Sequence, residues 1–317
     1  MFRKLLVAVL SVFTSSIAVA QPIPPVVRMI VPYAVGGGVD VVARMTAEAM
    51  QHTLSSNVVV ENRPGAGGVL ANSMVAQSAP DGSMILVSGP SIAIQPQLFS
   101  SLPYDPITDL VSAGGVLQSP NVLVVKSDSS IQNLQSLIER ARHQPELNYG
   151  SAGIATPGHL AMEYMNGTRG VRWMHIPYKG SSQALTDLLG GQLDFCSLSY
   201  TSVIEMAKSG KVRVIATLQP TRSKLLPDVP AISEAGFDHV DSRSRYALYV
   251  PAKTPRPVIS RFVAAVQSMV TAKEKEKLFA DMGYEHWPAS PDEVDALMRS
   301  EAQWWAPVIK RLNLHVG

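Results

Sequence analysis

The chain reads as an α/β protein of two lobes, each a mostly parallel sheet flanked by helices. Three observations predict this. Short apolar runs alternate with segments of helical spacing, the order that builds parallel sheets covered by helices. Glycine-rich loops sit repeatedly between a strand and a helix, at Gly36-Gly37-Gly38, at Arg63–Gly68 and at Ser151–His159. Two extended apolar stretches, near 121–125 and 240–248, stand where the chain would cross into a second lobe and return. The expected organisation is residues 21–120 plus 249–317 in one lobe and 121–248 in the other. Two strand-like crossings suit a hinge, with a ligand held between the lobes.

Met29–Val31 is a buried strand ended by Pro32. The three glycines at 36–38 follow, and Val39–Met50 is a helix with Asp40 at its cap or in its first turn. Asn57–Asn62 is a strand, Arg63–Gly68 a loop and Val69–Ser78 a helix. Pro80-Asp81-Gly82 is a turn, Met84–Ser88 a strand and Ser88–Ser91 the loop after it. Gln95–Asp109, with three prolines, reads as irregular. Gly114–Gln118 and Asn121–Lys126 are extended, and Ile131–Gln144 has apolar residues at helical spacing. Leu147–Gly150 is a strand whose loop, Ser151–His159, opens a helix to about Asn166. Trp173–Ile176, Asp194–Leu198 and Val212–Leu218 are strands, with helices from Ser181 or Ser182 to Gly190 and over Val203–Lys208. Ile232–Ala235 is a short helix stopped by Gly236, and Tyr246–Val250 is the return crossing. Val258–Ala272, Glu274–Met282 and Pro291–Leu312 close the chain as helices, with Trp304 and Trp305 as packing anchors.

The 317 residues are 46% hydrophobic and 16% charged, enough to bury a core. The first twenty have the form of a secretory signal: Arg3 and Lys4, an apolar core from Leu5, and Ala18-Val19-Ala20 for cleavage. Without Arg3 and Lys4, the 27 basic residues become 25, against 25 acidic ones. A near-neutral product with no basic tract gives no electrostatic support to nucleic-acid binding. The one cysteine, Cys196, cannot form an internal disulfide and reads as a buried, inert thiol. Seven scattered histidines show no metal spacing, and there is no Gly-x-Ser-x-Gly elbow, no His-Glu-x-x-His and no Cys-x-x-Cys. No metal, cofactor or catalytic residue is expected. The glycines at 36–38 do not complete a dinucleotide fingerprint; a strand, a glycine loop and a helix start make instead an anion site, because free N–H groups point out of the helix.

These blocks, in order along nearly the whole mature chain, resemble the Bug family, the substrate-binding receptors of tripartite tricarboxylate transporters. The resemblance rests on Val31–Asp40, Glu61–Gly68, Ala79–Gly82, Leu102–Asp105, Pro120–Val124, His175–Gly180, Ala184–Gln192, Leu226–Pro230 and Pro251–Pro255. It implies a periplasmic, two-lobed Venus flytrap of the second binding-protein type, a monomer, and a small carboxylated ligand: a di- or tricarboxylate, an acidic amino acid or an aromatic carboxylate. It also implies that two loops pinch the ligand, one carrying Tyr33, Val35, Gly36, Gly37, Gly38 and Asp40, the other Ser151, Ala152, Thr156 and His159. Ser88, Ser91, Pro177, Tyr178 and Gly180 would line the rest, with Ser199 at the strand end after Asp194. Two places depart from the pattern: Cys196–Tyr200 replaces a usual Asp-Asn, and Arg243–Tyr246 replaces a usual Ser-Trp.

Several of these residues have a second reading. Asp40 serves as a cap or loop holder more readily than as an anion contact, though it could take a ligand amine. Tyr33 packs over the ligand or forms a lobe edge. Ser151 and Thr156 offer hydroxyls to a ligand or to the helix cap. His159 touches ligand or is a satisfied core histidine. Lys179 attracts an anion or is merely solvated. Arg245 grips a carboxylate with two hydrogen bonds or is a solvated hinge arginine. The expected partners are the membrane subunits of a transporter. The alternatives are a sensor reading the same ligand, and a secreted hydrolase using His159 with a serine.

Overall fold

A computed structural model describes residues 23–143, 147–166, 168 and 170–315. The expected signal segment, 1–20, lies outside them. The strands are β1 (Val26–Val31), β2 (Asn57–Asn62), β3 (Met84–Ser88), β4 (Leu110–Ser119), β5 (Asn121–Lys126), β6 (Leu147–Ser151), β7 (Trp173–Pro177), β8 (Phe195–Ser199), β9 (Val212–Thr217), β10 (Ser244–Pro251) and β11 (Glu285–His286). The helices are α1 (Gly38–Leu54), α2 (Val69–Ala76), α3 (Gln95–Leu98), α4 (Leu134–His143), α5 (Pro157–Met165), α6 (Ser181–Leu189), α7 (Tyr200–Lys208), α8 (Arg256–Val270), α9 (Lys273–Asp281) and α10 (Pro291–Leu312).

Two sheets form, in the orders β11-β4-β10-β3-β1-β2 and β7-β6-β8-β5-β9. Both are mixed, where the sequence reading has them mostly parallel. The β-α-β runs pair in parallel, β1 with β2 and β3, and β6 with β7 and β8. The strands at the crossings pair antiparallel: β10 with β3 and β4, and β5 with β8 and β9. The crossings themselves are shorter than the sequence suggests. Asn121–Lys126 already belongs to the second sheet and Tyr246–Val250 to the first. The break between β4 and β5 is Pro120 alone, which has no N–H to continue a ladder. The return passes beside it: Asn121 donates its side-chain amide to the Ser242 carbonyl, and Ser244 pairs with Ser119.

Each sheet is sandwiched. On the first, Val42, Met50, Phe262 and Val266 of α1 and α8 pack on one face. Val69, Val75, Val294 and Met298 of α2 and the first half of α10 pack on the other. On the second, α4 and α5 contribute Leu137, Leu160 and Met162 to one core, and α6 and α7 contribute Leu188 and Val203 to another. The last helix does not stay with the first sheet, as the reading of 249–317 implies. Its final turns insert Trp305, Val308 and Ile309 into the core around α5, and Arg311 donates to the Glu163 carbonyl at 2.6 Å. Trp304 lies against Tyr164 and His239, so both tryptophans pack.

The loops after β1, β3 and β6 lie at strand carboxyl ends, where mixed α/β sheets place their ligands. Among the described residues, no helix is long and apolar enough to cross a membrane.

Candidate ligand site

The first glycine loop is held from behind by Asp40. One Asp40 oxygen accepts the Gly36 N–H at 2.9 Å, and Arg44 bridges both oxygens at 3.1 and 3.0 Å. Asn62 donates to Asp40 at 2.9 Å and to the Tyr33 carbonyl at 3.0 Å. Burial alone would raise the Asp40 pKa, but the bonds from Arg44, Gly36 and Asn62 outweigh it and hold the carboxyl below its ordinary value. Asp40 is therefore a loop holder, with no oxygen left facing outward for a ligand amine. Gly37 is the cap residue of α1 and makes no side-chain bond, so Gly38, Val39 and Asp40 begin the helix without carbonyl partners one turn back. A side chain at Gly38 would have to displace the Tyr246 ring, because a β-carbon there would lie 2.7 Å from its hydroxyl. Tyr284 adds a bond from its hydroxyl to the Gly38 carbonyl at 3.1 Å.

The second loop is held by neutral groups. Ser151 Oγ accepts from the Gly153 N–H at 3.1 Å and meets His175 Nε2 at 2.7 Å. The His159 ring lies 4.0 Å from that of His175, and its Nδ1 accepts the Ala155 N–H at 3.0 Å. Burial, reinforced by His175, pushes His159 down to about 3, and burial pushes His175 down to about 4, so both rings are neutral. With Nδ1 accepting, the His159 proton sits on Nε2. The Thr156 hydroxyl donates to the Gly153 carbonyl at 2.8 Å, so neither Ser151 nor Thr156 caps α5 through its side chain. His159 is buried behind the loop, as a satisfied core histidine should be, and it fixes Ala155 in a left-handed conformation at φ 60°.

Two adjoining cavities lie between these loops. The narrower, about 140 Å³, is lined by Tyr33, Val39, Ser91, Pro157, Arg245 and Tyr246, among others. The helix starts of α1 and α5 both face it, through Val39 and Pro157. The wider, about 250 Å³, shares Tyr33, Ser91 and Pro157 and adds Ala152, Thr156 and a largely apolar wall. The structure thus brings Tyr33, Ser91, Ala152, Thr156 and Arg245 to the cavity walls. Val35, Gly36 and Gly37 lie exposed at the loop tip. Gly38 sits beneath that tip, and Ser88 and Ser151 are buried under their loops.

Other sequence-predicted residues stand apart from both walls. Tyr178 donates to Asp187 at 2.7 Å, Pro177 and Lys179 are exposed, and Gly180 has open space around it. Ser199 bonds Thr201 at 2.9 Å and Ser119 at 3.3 Å. Cys196 is fully buried, and burial pushes its thiol up to about 12.

Arg245 is not a solvated hinge residue. It is buried, with Asp241 at 2.6 Å and Glu301 at 3.6 Å. Asp241 is driven up by burial but held down to about 2 by Arg243 and Arg245. Burial lifts Glu301 to about 7, against the pull of Arg245 and with a push from Asp241. Arg245 thus shares Asp241 with Arg243 and has Glu301 as a second, more distant partner.

Sequence reasoning missed Gln95. It lies in a stretch read as irregular, but Pro90 and Pro96 each sit in the first turn of a short helix. Gln95 Nε2 donates to the Gly67 carbonyl at 3.0 Å, and its Oε1 accepts from Tyr104 and, at 3.2 Å, from Asn72. It ties the Arg63–Gly68 loop to the wall of the wider cavity. Among the described residues, no cluster of histidine, cysteine and carboxylate side chains could hold a metal ion.

The sequence profile of the family described as tripartite tricarboxylate transporter family receptor matches residues 42–314. BugT of Bordetella pertussis is 32% identical over 314 residues, covering 96% of each chain. Among solved structures, an R. palustris protein with adipate superposes with a TM-score of 0.83 at 27% identity, covering 90% of this chain and 97% of that one. MatC from Rhodopseudomonas palustris with bound malate gives 0.76 at 27% identity, covering 90% and 98%.

Proposed function

The chain belongs to the tripartite tricarboxylate transporter family of receptors, and from that premise we propose that it is an exported, monomeric receptor that captures a small organic carboxylate between its two sheets and hands it to the membrane subunits of a transporter. One observation carries the reading: two strand–loop–helix starts, one from each sheet, face each other across one pair of cavities. The adipate and malate in the structural neighbours support a carboxylate as the ligand class. Backbone N–H groups at the starts of α1 and α5, with the Ser91 hydroxyl and bridging water, replace the anion's hydration shell. Contacts that need both loops at once shift the hinge at Pro120 and Ser242 towards the closed state. No bond in the ligand is made or broken.

A thermal-shift screen tests this, since a ligand that binds only the folded form raises its stability, by about 2.7 kcal/mol at a hundredfold excess over Kd. At least one small carboxylic acid should raise the melting temperature while its amide and alcohol do not. No response to any acid, or an equal response to the amides, would contradict the reading.

A further inference from the structure

The two cavities differ in chemistry, and the difference names the ligand more closely. The α5 start borders both cavities, through Pro157, but the α1 start, Arg243 and Arg245 border only the narrow one, beside Glu301, which suits it to the anionic head. The wider cavity is walled by Ile92, Ile94, Leu98, Phe99 and Ile154, and no lysine, arginine or histidine lines it. Its polar side chains away from the shared wall are already committed. The Gln95 amide holds the Gly67 carbonyl and accepts from Tyr104 and Asn72. The Thr156 hydroxyl donates to the Gly153 carbonyl. A second carboxylate placed there would lose its water and meet no cationic side chain, and Pro157, the first residue of α5 at this wall, has no N–H to offer it, whereas a hydrocarbon would gain by leaving water. Nor does Arg245 offer a second grip there, because it borders the narrow cavity and not the wide one.

We infer, resting on the carboxylate reading above, that the ligand carries a single carboxylate on an uncharged apolar body, such as a phenyl ring or a medium-length alkyl chain. This sets the chain apart from receptors that take a diacid.

Calorimetric titration of the full mature chain with matched pairs tests it: hexanoate against adipate, and benzoate against terephthalate, each beside its neutral amide. The monoacid of at least one pair should bind at least about tenfold more tightly than its diacid. A diacid that binds as tightly as its partner overturns the inference but leaves the carboxylate reading standing. Amides that bind as well as the acids, or no binding by any acid, bring down both. A second arm uses Ile154→Arg, at a position already about half exposed, so that the longer polar side chain keeps access to water. It should improve the diacid by about fivefold or more and weaken the monoacid. An unchanged ratio would mean that the ligand body does not lie against this wall, and the inference fails.

Discussion

The two jaws of the cleft share a plan and differ in what stiffens them. Each is a strand, a loop and a helix start. The first is braced by charge: Asp40, Arg44 and Asn62, with Arg44 half exposed. The second is braced by neutral, buried groups: Ser151, His175 and His159. Even the backbone differs. The first jaw has positive φ at Gly36, 86°, whereas the second has it at Gly153, 144°, and at a residue with a side chain, Ala155, 60°. Glycine takes that conformation freely; alanine needs a brace, and the His159 Nδ1 acceptor is that brace. One architecture can therefore be set with either ionic or neutral bonding, and the two jaws should fail under different conditions.

The largest expected effect is steric and separates the jaws by what has to move. A β-carbon on Gly158 would lie 2.7 Å from Ser197 Oγ and 3.0 Å from the Ser197 carbonyl oxygen, a backbone atom. Gly158→Ala should cost roughly 2 to 3 kcal/mol in urea denaturation and abolish acid binding. Gly38→Ala meets the tip of the Tyr246 side chain instead, so it should cost less stability while still weakening binding.

The next largest is the pH response. The folded pKa of His159 is depressed, so the unfolded chain binds the proton first, and stability falls as pH drops from about 6.5 towards 3. For His159 alone the loss is about 2 kcal/mol by pH 5. His159→Asn keeps an acceptor but does not titrate, so its chemical-denaturation stability should fall less between pH 7.5 and 5. Equal pH slopes would remove the neutral-brace account. Asp40 acts in another window: its folded pKa is depressed too, but as an acid, so its contribution is present above the unfolded value and is lost only below about pH 4.

Asp40→Ala comes third. It strands the Gly36 N–H and frees Arg44, which should cost about 1 to 2 kcal/mol in the same assay and loosen only the first jaw. The smallest effects form a reciprocal pair. Gly36→Ala meets no atom within 4 Å, so its cost of about 1 kcal/mol is conformational. Ala155→Gly relieves the same strain in the other jaw and should be neutral or stabilising by under about 1 kcal/mol in melting experiments. Two changes of the same sign would contradict the comparison.

Much of this was legible in the residues. Apolar runs and glycine loops mark β1, β2, β3 and β6 because local period and turn chemistry decide them. Charge alone favours Asp40 as a helix cap or loop holder over an anion contact; Gly37 takes the cap position, and the bonds to Gly36 and Arg44 are those of a loop holder. The rest depends on distant partners. Nothing local says that β10 runs antiparallel beside β3, or that Trp305 packs against α5 rather than the first sheet. Glu285 and His286 form a strand only because the edge of β4 is there to pair with. The proline-rich stretch hid Gln95, since Pro96 signals a helix start as readily as a break. The cluster around Arg245 also needed the fold, which brings Glu301 from the far end of the chain.

The most direct measurement is hydrogen exchange across both jaws, with and without a saturating acid found in the screen. Amides at Gly36–Asp40 and at Ala152–His159 should gain protection together and with the same dependence on acid concentration. Protection in one jaw alone, or in neither while the acid still binds, would contradict capture between the two sheets.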